Sequence, residues 1–410
     1  MDRWVFDWNE AEGGDGAGAP TQPVEVDDET LRDGLQSPSA KAPPLQAKLE
    51  FLRILVDLGI QAVDIGLPAT GGHAKEDALF IASEIARSRL PLKPNCAART
   101  LVSDVRHVVE ISQKAGIAVE VATFIGSSMA RQCAEDWSLA FLLKVTRDSV
   151  SAAVKEGLPV MYVTEDTTRA RPEVLRQLYS AAIDCGATRA CLADTVGFVT
   201  PSGARRLVAF IKEVIAATGA EVGIDWHGHM DRGLGLASSL AALEAGADRI
   251  HGSALGIGER VGNTPLDLLL VNLKLMGRWP RDVRRLPDYV EWVARYAGVT
   301  IPWNYPVFGR DAYRTGTGIH ASAIVKAMDK GDAELADVVY SSVPSSWFGR
   351  EQTIEVSPMS GDSNVLAWLG QHGVEPAPEK VRAVKRLAKE ADHTLSDDEI
   401  WDVLRRLENP

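Results

Sequence analysis

Residues 57–66, DLGIQAVDIG, contain the pattern that decides the fold: the end of a helix, a glycine and a short apolar strand follow one another without a break. Glycine commonly follows the last helical turn, because it readily adopts the left-handed conformation that ends a helix. The same order recurs in KAGIAVEVAT at 114–123, KEGLPVMYVT at 155–164, DCGATRACLAD at 184–194 and EAGADRIHGS at 244–253. The repetition indicates strands that alternate with helices.

Eight such strands are predicted along the chain. They are expected at 24–26, 62–66, 93–97, 118–123, 160–164, 190–193, 222–226 and 249–252. Amphipathic stretches between them, such as 45–58, 102–115, 137–156 and 172–185, predict helices. Eight strands alternating with helices predict an α/β protein with a parallel, closed (β/α)₈ barrel rather than an open sheet.

The length of 410 residues exceeds that of one ordinary barrel, so a second region is expected. Residues 1–23, rich in Gly, Ala, Asp and Glu, are predicted to form a flexible leader. We expect the catalytic barrel at 24–280 and a smaller, mainly helical extension at 281–410, which would supply lid or dimerisation elements. Within the extension, 308–318 is predicted to be a loop rich in Gly, Arg and aromatic residues, and the chain from 363 onward is predicted to be helical.

Composition narrows the classes of partner. Hydrophobic residues at 45% and charged residues at 24% are typical of a soluble globular protein. The formal net charge of −12 argues against nucleic-acid or membrane binding, but it does not exclude a small anionic substrate. The sequence has no apolar run of membrane-spanning length and no signal-peptide pattern at its start. The cysteines form no C-x-x-C pair, so we predict reduced, mostly buried thiols in a cytoplasmic protein: Cys96, Cys133, Cys185 and Cys191.

Polar residues cluster where the predicted strands end. The run DETLRDGLQ at 28–36 follows the first strand, and TEDTTR at 164–169 follows the fifth. The other strand ends supply Asp64, Arg99, Asp194 and Thr195, HGHMD at 227–231 and GIGERVGN at 256–263. Because the chemistry of a (β/α)₈ barrel takes place at the carboxyl ends of its strands, these groups are candidates for one common site.

His227 and His229 are the most informative of these residues. Two residues apart on a strand, their side chains point to the same side, here the open end of the barrel interior. With Asp33 after the first strand and Asn263 near, they form a set that suits a divalent cation and leaves coordination positions open, as a catalytic metal requires. An H-x-H pair alone is weak support for a metal; its place at the end of a late strand strengthens the interpretation. His251 is expected to make a contact inside the barrel and is assigned no role.

Two neighbouring residues admit two interpretations each. Arg32 is either an ion-pair partner of Asp33 or a fixed cation placed where an oxyanion would develop. Thr195 either caps the following helix or hydrogen-bonds a substrate carboxylate. The glycines of GIGERVGN allow the backbone to approach a ligand, although such loops are often only tight turns.

Several motifs together resemble a known family. These are DETLRDGLQ, DIGLP, TEDTTR, DTVG, HGHMDRGLGLASSLAALEAGADRIHGSALGIGERVGN and GTGIH. They resemble the metal-dependent acyl-CoA/2-oxoacid carboligases and lyases: 2-isopropylmalate, homocitrate and citramalate synthases and 3-hydroxy-3-methylglutaryl-CoA lyase. The resemblance spans about 24–363 and is specific, because independent motifs occur in the order and spacing of the family.

The resemblance implies a Claisen-type condensation. A 2-oxo acid binds a divalent ion (Mg²⁺, Mn²⁺ or Zn²⁺), a base removes a proton from the methyl group of the co-substrate acetyl-CoA, and the thioester is then hydrolysed. It implies catalytic roles for Arg32, Glu165 and His320, substrate contacts for Gln36, Asp64, Arg99 and Thr195, and metal ligation by Asp33, His227, His229 and Asn263. It also implies a homodimer, since the histidine of the GTGIH segment enters a barrel, in some relatives that of the neighbouring subunit.

Two features favour a synthase over a lyase: the GTGIH segment is present, and residues 253–263 lack the cysteine of the lyases. Departures from the pattern of 2-isopropylmalate synthases suggest an oxo acid other than that of the leucine pathway. They are Met230 in place of Asn, Arg131 and Thr315 in place of His, and Asp64 in place of Glu. Since the sequence ends at residue 410, we expect no leucine-binding regulatory domain. A carbon–carbon lyase and a catalytically idle barrel that serves as a binding subunit remain as alternatives.

Overall fold

The computed structural model of the protein describes residues 4–6, 9 and 24–408, so the predicted leader at 1–23 lies almost entirely outside the described residues. The chain divides into two compact units, one within Glu12–Thr300 and one of Ile301–Pro410 together with the described residues 4–6 and 9. The domain limits expected near residues 23 and 280 stay predictions.

The first unit is a closed barrel of eight parallel strands, which confirms the predicted fold. The strands are β1 (Glu25–Asp28), β2 (Ala62–Asp64), β3 (Lys93–Arg99), β4 (Glu120–Gly126), β5 (Val160–Glu165), β6 (Arg189–Asp194), β7 (Gly223–Gly228) and β8 (Arg249–Gly252). Each strand pairs with the next, and β8 returns to β1, where Asp27 lies opposite His251.

Ten α-helices accompany the strands of this unit in the described residues. They are α1 (Leu45–Leu58), α2 (His73–Ser88), α3 (Val102–Ala115), α4 (Met129–Ala134), α5 (Leu139–Lys155), α6 (Pro172–Asp184), α7 (Pro201–Thr218), α8 (Gly235–Glu244), α9 (Leu266–Leu275) and α10 (Leu286–Trp292). Along the part of the chain that is described, no helix combines the length and apolar character needed to cross a membrane.

Helix α1 shows how the repeated pattern builds the fold. Its apolar stripe buries Phe51, Leu52 and Leu55 completely. Gly59 follows with φ 77°, and its N–H caps the carbonyl groups of Leu55 and Val56. The chain then enters β2 directly, as the sequence 57–66 predicts.

The interior of the barrel is strongly polar near its floor. Asp27, Asp225, Arg249 and His251 are each at most 2% exposed. The Arg249 guanidinium donates to Asp225 at 2.6 Å and to Glu120 at 2.6 Å. Because a buried charge is tolerated only when it is paired and hydrogen-bonded, this network fixes the relative positions of the strands that cross it.

The second unit is mainly helical and also contains a pair of short strands. Its helices are α11 (Gly318–Asp329), α12 (Ala333–Val338), α13 (Asp362–Gln371), α14 (Pro378–Glu390) and α15 (Asp397–Glu408). The strands β9 (Arg314–Thr315) and β10 (Thr353–Ile354) pair in parallel. The prediction of a loop at 308–318 is thus wrong at β9, because a strand of two residues has too few positions to show an alternating pattern.

The cysteines are free thiols, but their burial differs from the prediction. Cys96 and Cys191 are buried, whereas Cys185 is half-buried and Cys133 is exposed. Cys133 lies on α4, a six-residue helix that interrupts the predicted connection between β4 and α5. The Oγ of Ser128 caps this helix by accepting from the Arg131 N–H.

Candidate metal centre and active site

Asp33, His227 and His229 meet at the carboxyl end of the barrel. One potential ligand atom from each lies within 4.8 Å of the others. The two Nε2 atoms are 3.0 Å apart, and the His227 Nε2 is 3.8 Å from the Asp33 Oδ2. All three side chains are buried, so a cation here would be held largely out of water.

The loop after β8 is hydrogen-bonded along the end of β7, which brings Asn263 beside His229. The Met230 N–H donates to the Gly262 carbonyl at 3.0 Å, and the Thr264 N–H donates to the Gly228 carbonyl at 2.8 Å. Gly262 has φ 91°, and a Cβ there would lie 1.8 Å from the Gly256 carbonyl oxygen. Only glycine fits this close approach of backbone to backbone.

The donor set fits a divalent cation. The buried His229 Nδ1 and Asn263 Oδ1 have no hydrogen-bond partner among the described residues. Burial, together with the neighbouring His227, lowers the pKa of His229 to about 4, so its imidazole is neutral and able to ligate. One carboxylate and two imidazoles suit Zn²⁺, Mn²⁺ or Fe²⁺ and also accept Mg²⁺. The predicted ligand Asn263 contacts the set through its Nδ2, which donates to the Asp33 Oδ1 at 3.0 Å.

Arg32 lies at the centre of a group of carboxylates. Its Nε donates to the Asp64 Oδ2 at 2.6 Å, its Nη1 to the Asp33 Oδ2 at 2.9 Å and its Nη2 to the Glu29 Oε1 at 3.2 Å. The side chain is 17% exposed. The predicted pair with Asp33 is therefore present, and it places a fixed positive charge against the candidate metal set.

Glu165, at the end of β5, faces Arg131, which lies on α4. The Arg131 Nη2 is 3.6 Å from the Glu165 Oε2. Burial raises the pKa of Glu165 above its ordinary value, although the neighbouring arginine opposes the shift. A carboxyl group with a raised pKa at the mouth of a barrel is a candidate for proton transfer.

Thr195 does not cap the following helix. The residue before α7 is Thr200, whose hydroxyl accepts from the Gly203 N–H. The Thr195 Oγ1 instead accepts from the Asp166 N–H at 2.8 Å. A hydroxyl that accepts in this way keeps its own proton to donate, which is compatible with the predicted carboxylate contact.

Three further predicted residues contact other side chains or solvent. Arg99 is 59% exposed and donates to both oxygens of Asp104, at 2.7 Å and 3.1 Å. Gln36 is exposed at the end of the 3₁₀ turn Gly34–Gln36. His320 belongs to the second unit, where its exposed ring stacks on Tyr340 with 4.0 Å between centroids. The roles assigned to them stay predictions.

Glu29 and His251 have no role assigned from the sequence, but the structure joins both to the candidate metal set. The Glu29 carboxylate contacts the Nδ1 of His227 at 2.7 Å and the Nδ1 of His251 at 3.0 Å. A signal was present: on both β7 and β8 a charged residue precedes a histidine by two positions, as Asp225 precedes His227 and Arg249 precedes His251. Residues so spaced on a strand share one face.

An eight-stranded parallel barrel with titratable groups and a candidate metal set at the carboxyl ends of its strands is the architecture of a barrel enzyme. The HMGL-like family profile matches residues 24–288, and the chain belongs to the HMGL-like family. A homocitrate synthase of Methanopyrus kandleri is 33% identical over 94% of this chain and 92% of its own length. A probable 2-isopropylmalate synthase of the same organism is 30% identical over 90% of this chain and 69% of its own.

Solved structures with this fold include the HMG-CoA lyase of Bacillus subtilis. It covers 69% of this chain and 96% of its own, with a TM-score of 0.58 and 21% identity. At that identity the likeness concerns the fold alone. With its family and its synthase relatives, the chain is an enzyme, an acyltransferase of the HMGL-like family.

Proposed function

We propose that the protein condenses acetyl-CoA with a 2-oxo acid at a divalent metal ion and then hydrolyses the thioester, releasing CoA and a 2-alkylmalate-like acid. The observation that carries the proposal is the arrangement of Arg32 against Asp33, beside His227 and His229. This arrangement combines a cation-binding set with a fixed positive charge where an oxyanion would form. The names of the relatives, homocitrate and 2-isopropylmalate synthase, agree with it.

Asp33, His227 and His229 would hold the cation, with Asn263 beside them. When bound, a divalent ion of the Mg²⁺, Mn²⁺ or Zn²⁺ type supplies Lewis-acid polarisation of a carbonyl group. Arg32 adds a guanidinium that is already held in place by carboxylates, so no side chain has to reorganise as negative charge develops.

Glu165 is the candidate base for the methyl group of acetyl-CoA. Its raised pKa makes its carboxylate a better proton acceptor than an ordinary glutamate, since basicity rises with pKa. Thr195, through its free hydroxyl proton, would hold the oxo-acid carboxylate, and Gln36, Asp64 and Arg99 are assigned to the walls of the pocket. Asp64 would act mainly by orienting Arg32, which it contacts at 2.6 Å.

Arg131 favours an oxo acid with a second acidic group. Its guanidinium is 41% exposed beside Glu165, and its buried Nε has no hydrogen-bond partner among the described residues. Gly126 allows the side chain to lie over the end of β4, since a Cβ there would be 2.7 Å from that Nε. A cation at this position would attract an additional carboxylate and disfavour a purely aliphatic tail.

The direct test is release of free thiol from acetyl-CoA. The protein, stripped of metal and reloaded in turn with Mg²⁺, Mn²⁺ or Zn²⁺, is incubated with acetyl-CoA and a panel of 2-oxo acids. We expect thiol release that requires both the metal and one oxo acid. His229→Ala should abolish it, whereas His73→Ala, at a histidine whose side chain is 95% exposed, should not.

The outcomes separate the alternatives. Cleavage of a 3-hydroxyacyl-CoA without any condensation would assign the same site to a lyase. Absence of both reactions, despite metal binding, would indicate a catalytically idle barrel that serves as a binding subunit. Full activity of His229→Ala would refute the assignment of the metal centre itself.

A homodimer is part of the proposal. The family resemblance assigns His320 to catalysis, and its ring is exposed on the second unit. Light scattering of the purified protein tests the dimer. Mixing His320→Ala with His229→Ala protein tests sharing, because activity should reappear in mixed dimers only if the two residues act across subunits.

A further inference from the structure

A chain of hydrogen bonds connects the barrel floor to His227. The Asp225 Oδ2 contacts the His251 Nε2 at 2.9 Å, and the His251 Nδ1 contacts the Glu29 Oε1 at 3.0 Å. The other oxygen of Glu29 contacts the His227 Nδ1 at 2.7 Å. Asp225 and His227 lie two residues apart on β7, so the contacts form a closed ring through β7, β8 and the residue that follows β1.

The position of the protons in this ring follows from the partners. His251 is 1% exposed and has a carboxylate oxygen at each ring nitrogen, so both nitrogens must donate. The pKa of His251 is raised to about 10: burial opposes this shift, but Glu29 and Asp225 outweigh it. Asp225 is itself held as a carboxylate by Arg189 at 2.5 Å and Arg249 at 2.6 Å.

Glu29 is therefore an acceptor at both oxygens. Its Oε1 faces the His251 Nδ1 at 3.0 Å, and its Oε2 faces the His227 Nδ1 at 2.7 Å. Facing a carboxylate, the Nδ1 of His227 donates to Glu29, so Nε2 is the nitrogen that remains to ligate a cation. That Nε2 is the atom that faces His229 and Asp33. The ring thus selects the tautomer that can ligate a metal.

We propose that Asp225, His251 and Glu29 are positioning residues that fix the tautomer and orientation of His227, so that metal affinity is set in part by residues that do not contact the metal. The proposal rests on the metal site proposed above. It also assigns a role to the second group of side chains that could hold a cation, which consists of Glu29, His227 and His251. In that set the contacts are hydrogen bonds between carboxylate and imidazole, not an additional ion site.

A purely structural role is the competing explanation, since any buried polar network stabilises its surroundings. The two are separated by metal affinity measured apart from stability. Removing an outer partner of a ligating histidine typically weakens metal binding about 10- to 100-fold. Loss of an unrelated buried hydrogen bond lowers stability and leaves the affinity unchanged.

The experiment uses the full chain without metal and Co²⁺ alone as the probe. We expect Glu29→Gln and His251→Gln to weaken Co²⁺ binding by about 10-fold or more, in calorimetry and in the visible absorption spectrum. The matched control is Tyr162→Phe, which loses a buried hydrogen bond of 2.8 Å to Thr146, between β5 and α5 of the same unit. It should lower the melting temperature in EDTA but bind Co²⁺ as the wild type does. Unchanged affinity in folded His251→Gln would overturn the proposal.

A measurement on the wild type covers the case in which these variants do not fold. Long-range ¹H–¹⁵N spectra of the Zn²⁺-loaded protein at pH 8 should show His251 with both nitrogens protonated and His227 protonated at Nδ1. A neutral His251, or a His227 without a proton at Nδ1, would refute the proposed arrangement of hydrogen bonds. If the wild type binds neither Co²⁺ nor Zn²⁺, the proposed function fails, and the same spectrum of the metal-free protein still tests the doubly protonated His251.

Discussion

Replacing Arg32 with methionine should damage both stability and catalysis, by amounts that the structure allows us to state. The change leaves the carboxylates of Asp64, Asp33 and Glu29 without their shared cation, and these side chains are only 2%, 7% and 4% exposed. Removing one partner of a buried ion pair costs about 3–5 kcal/mol. At roughly 2–4 °C per kcal/mol for a large domain, the melting temperature should fall by about 6 °C or more.

The control is Arg205→Met, at an arginine that is 44% exposed and contacts Glu244 at 2.5 Å. An exposed pair is worth about 0–1 kcal/mol, because water and salt screen it, so the melting temperature should fall by at most about 4 °C. Thermal unfolding of both variants in EDTA gives the comparison. Adding Mn²⁺ should restore more stability to Arg32→Met than to the wild type, since a bound cation replaces part of the lost charge near Asp33.

Thiol release measures the catalytic part. Loss of a fixed charge at a developing oxyanion typically lowers kcat about 10²- to 10³-fold, and Arg32→Met should fall in that range while Arg205→Met stays near the wild type. Equal losses of stability in the two variants would refute the electrostatic account of Arg32. A wild-type kcat in Arg32→Met would refute its place beside the reacting carbonyl.

Three further predictions concern the same end of the barrel. If Glu165 is the base, kcat/KM should fall as the pH falls through the pKa of its carboxyl, which burial raises above 4.5; an acidic limb at or below 4.5 would exclude this role. Arg131→Met should move that limb to higher pH, because the arginine lowers this pKa, and should raise KM most for oxo acids with a second carboxylate; an unchanged limb and an unchanged order of substrates would remove Arg131 from the site. Gly262→Ala should weaken Co²⁺ binding by displacing Asn263, whereas Gly219→Ala, with φ 72° and no atom within 4 Å of the new Cβ, should bear only the backbone strain; equal Co²⁺ affinities would show that the loop tolerates the change.

The sequence predicts the barrel well because its signal is local and repeated. Each repeat of helix end, glycine and strand is specified within about ten residues. A wrong prediction in one repeat therefore does not affect the prediction of the next. Short elements escape this reasoning: α4 has six residues and β9 has two, which are fewer than a periodic pattern needs. Burial of single side chains, such as the exposed Cys133, depends on neighbours that the sequence does not reveal.

The candidate metal set was predictable because each residue has a recognisable place at a strand end. The ring behind it was not, since the contact between Glu29 and His251 depends on the register of β1 against β8. The two residues are 222 positions apart, and no local pattern encodes that pairing. The same limit applies to Thr195, since no local pattern distinguishes a helix cap from the contact that its hydroxyl makes with the Asp166 N–H.

The metal set draws its residues from the two ends of the barrel sequence. Asp33 follows β1, His227 and His229 close β7, and the amide of Asn263 meets Asp33 across 230 positions. Contacts of such long range form late when a chain folds, because loop closure is costly. A ribosome-bound chain that has not yet emerged through Asn263 would therefore lack the complete site. Metal binding should therefore stabilise only chains in which β1 and β8 have already paired, because the complete set of ligands forms only then.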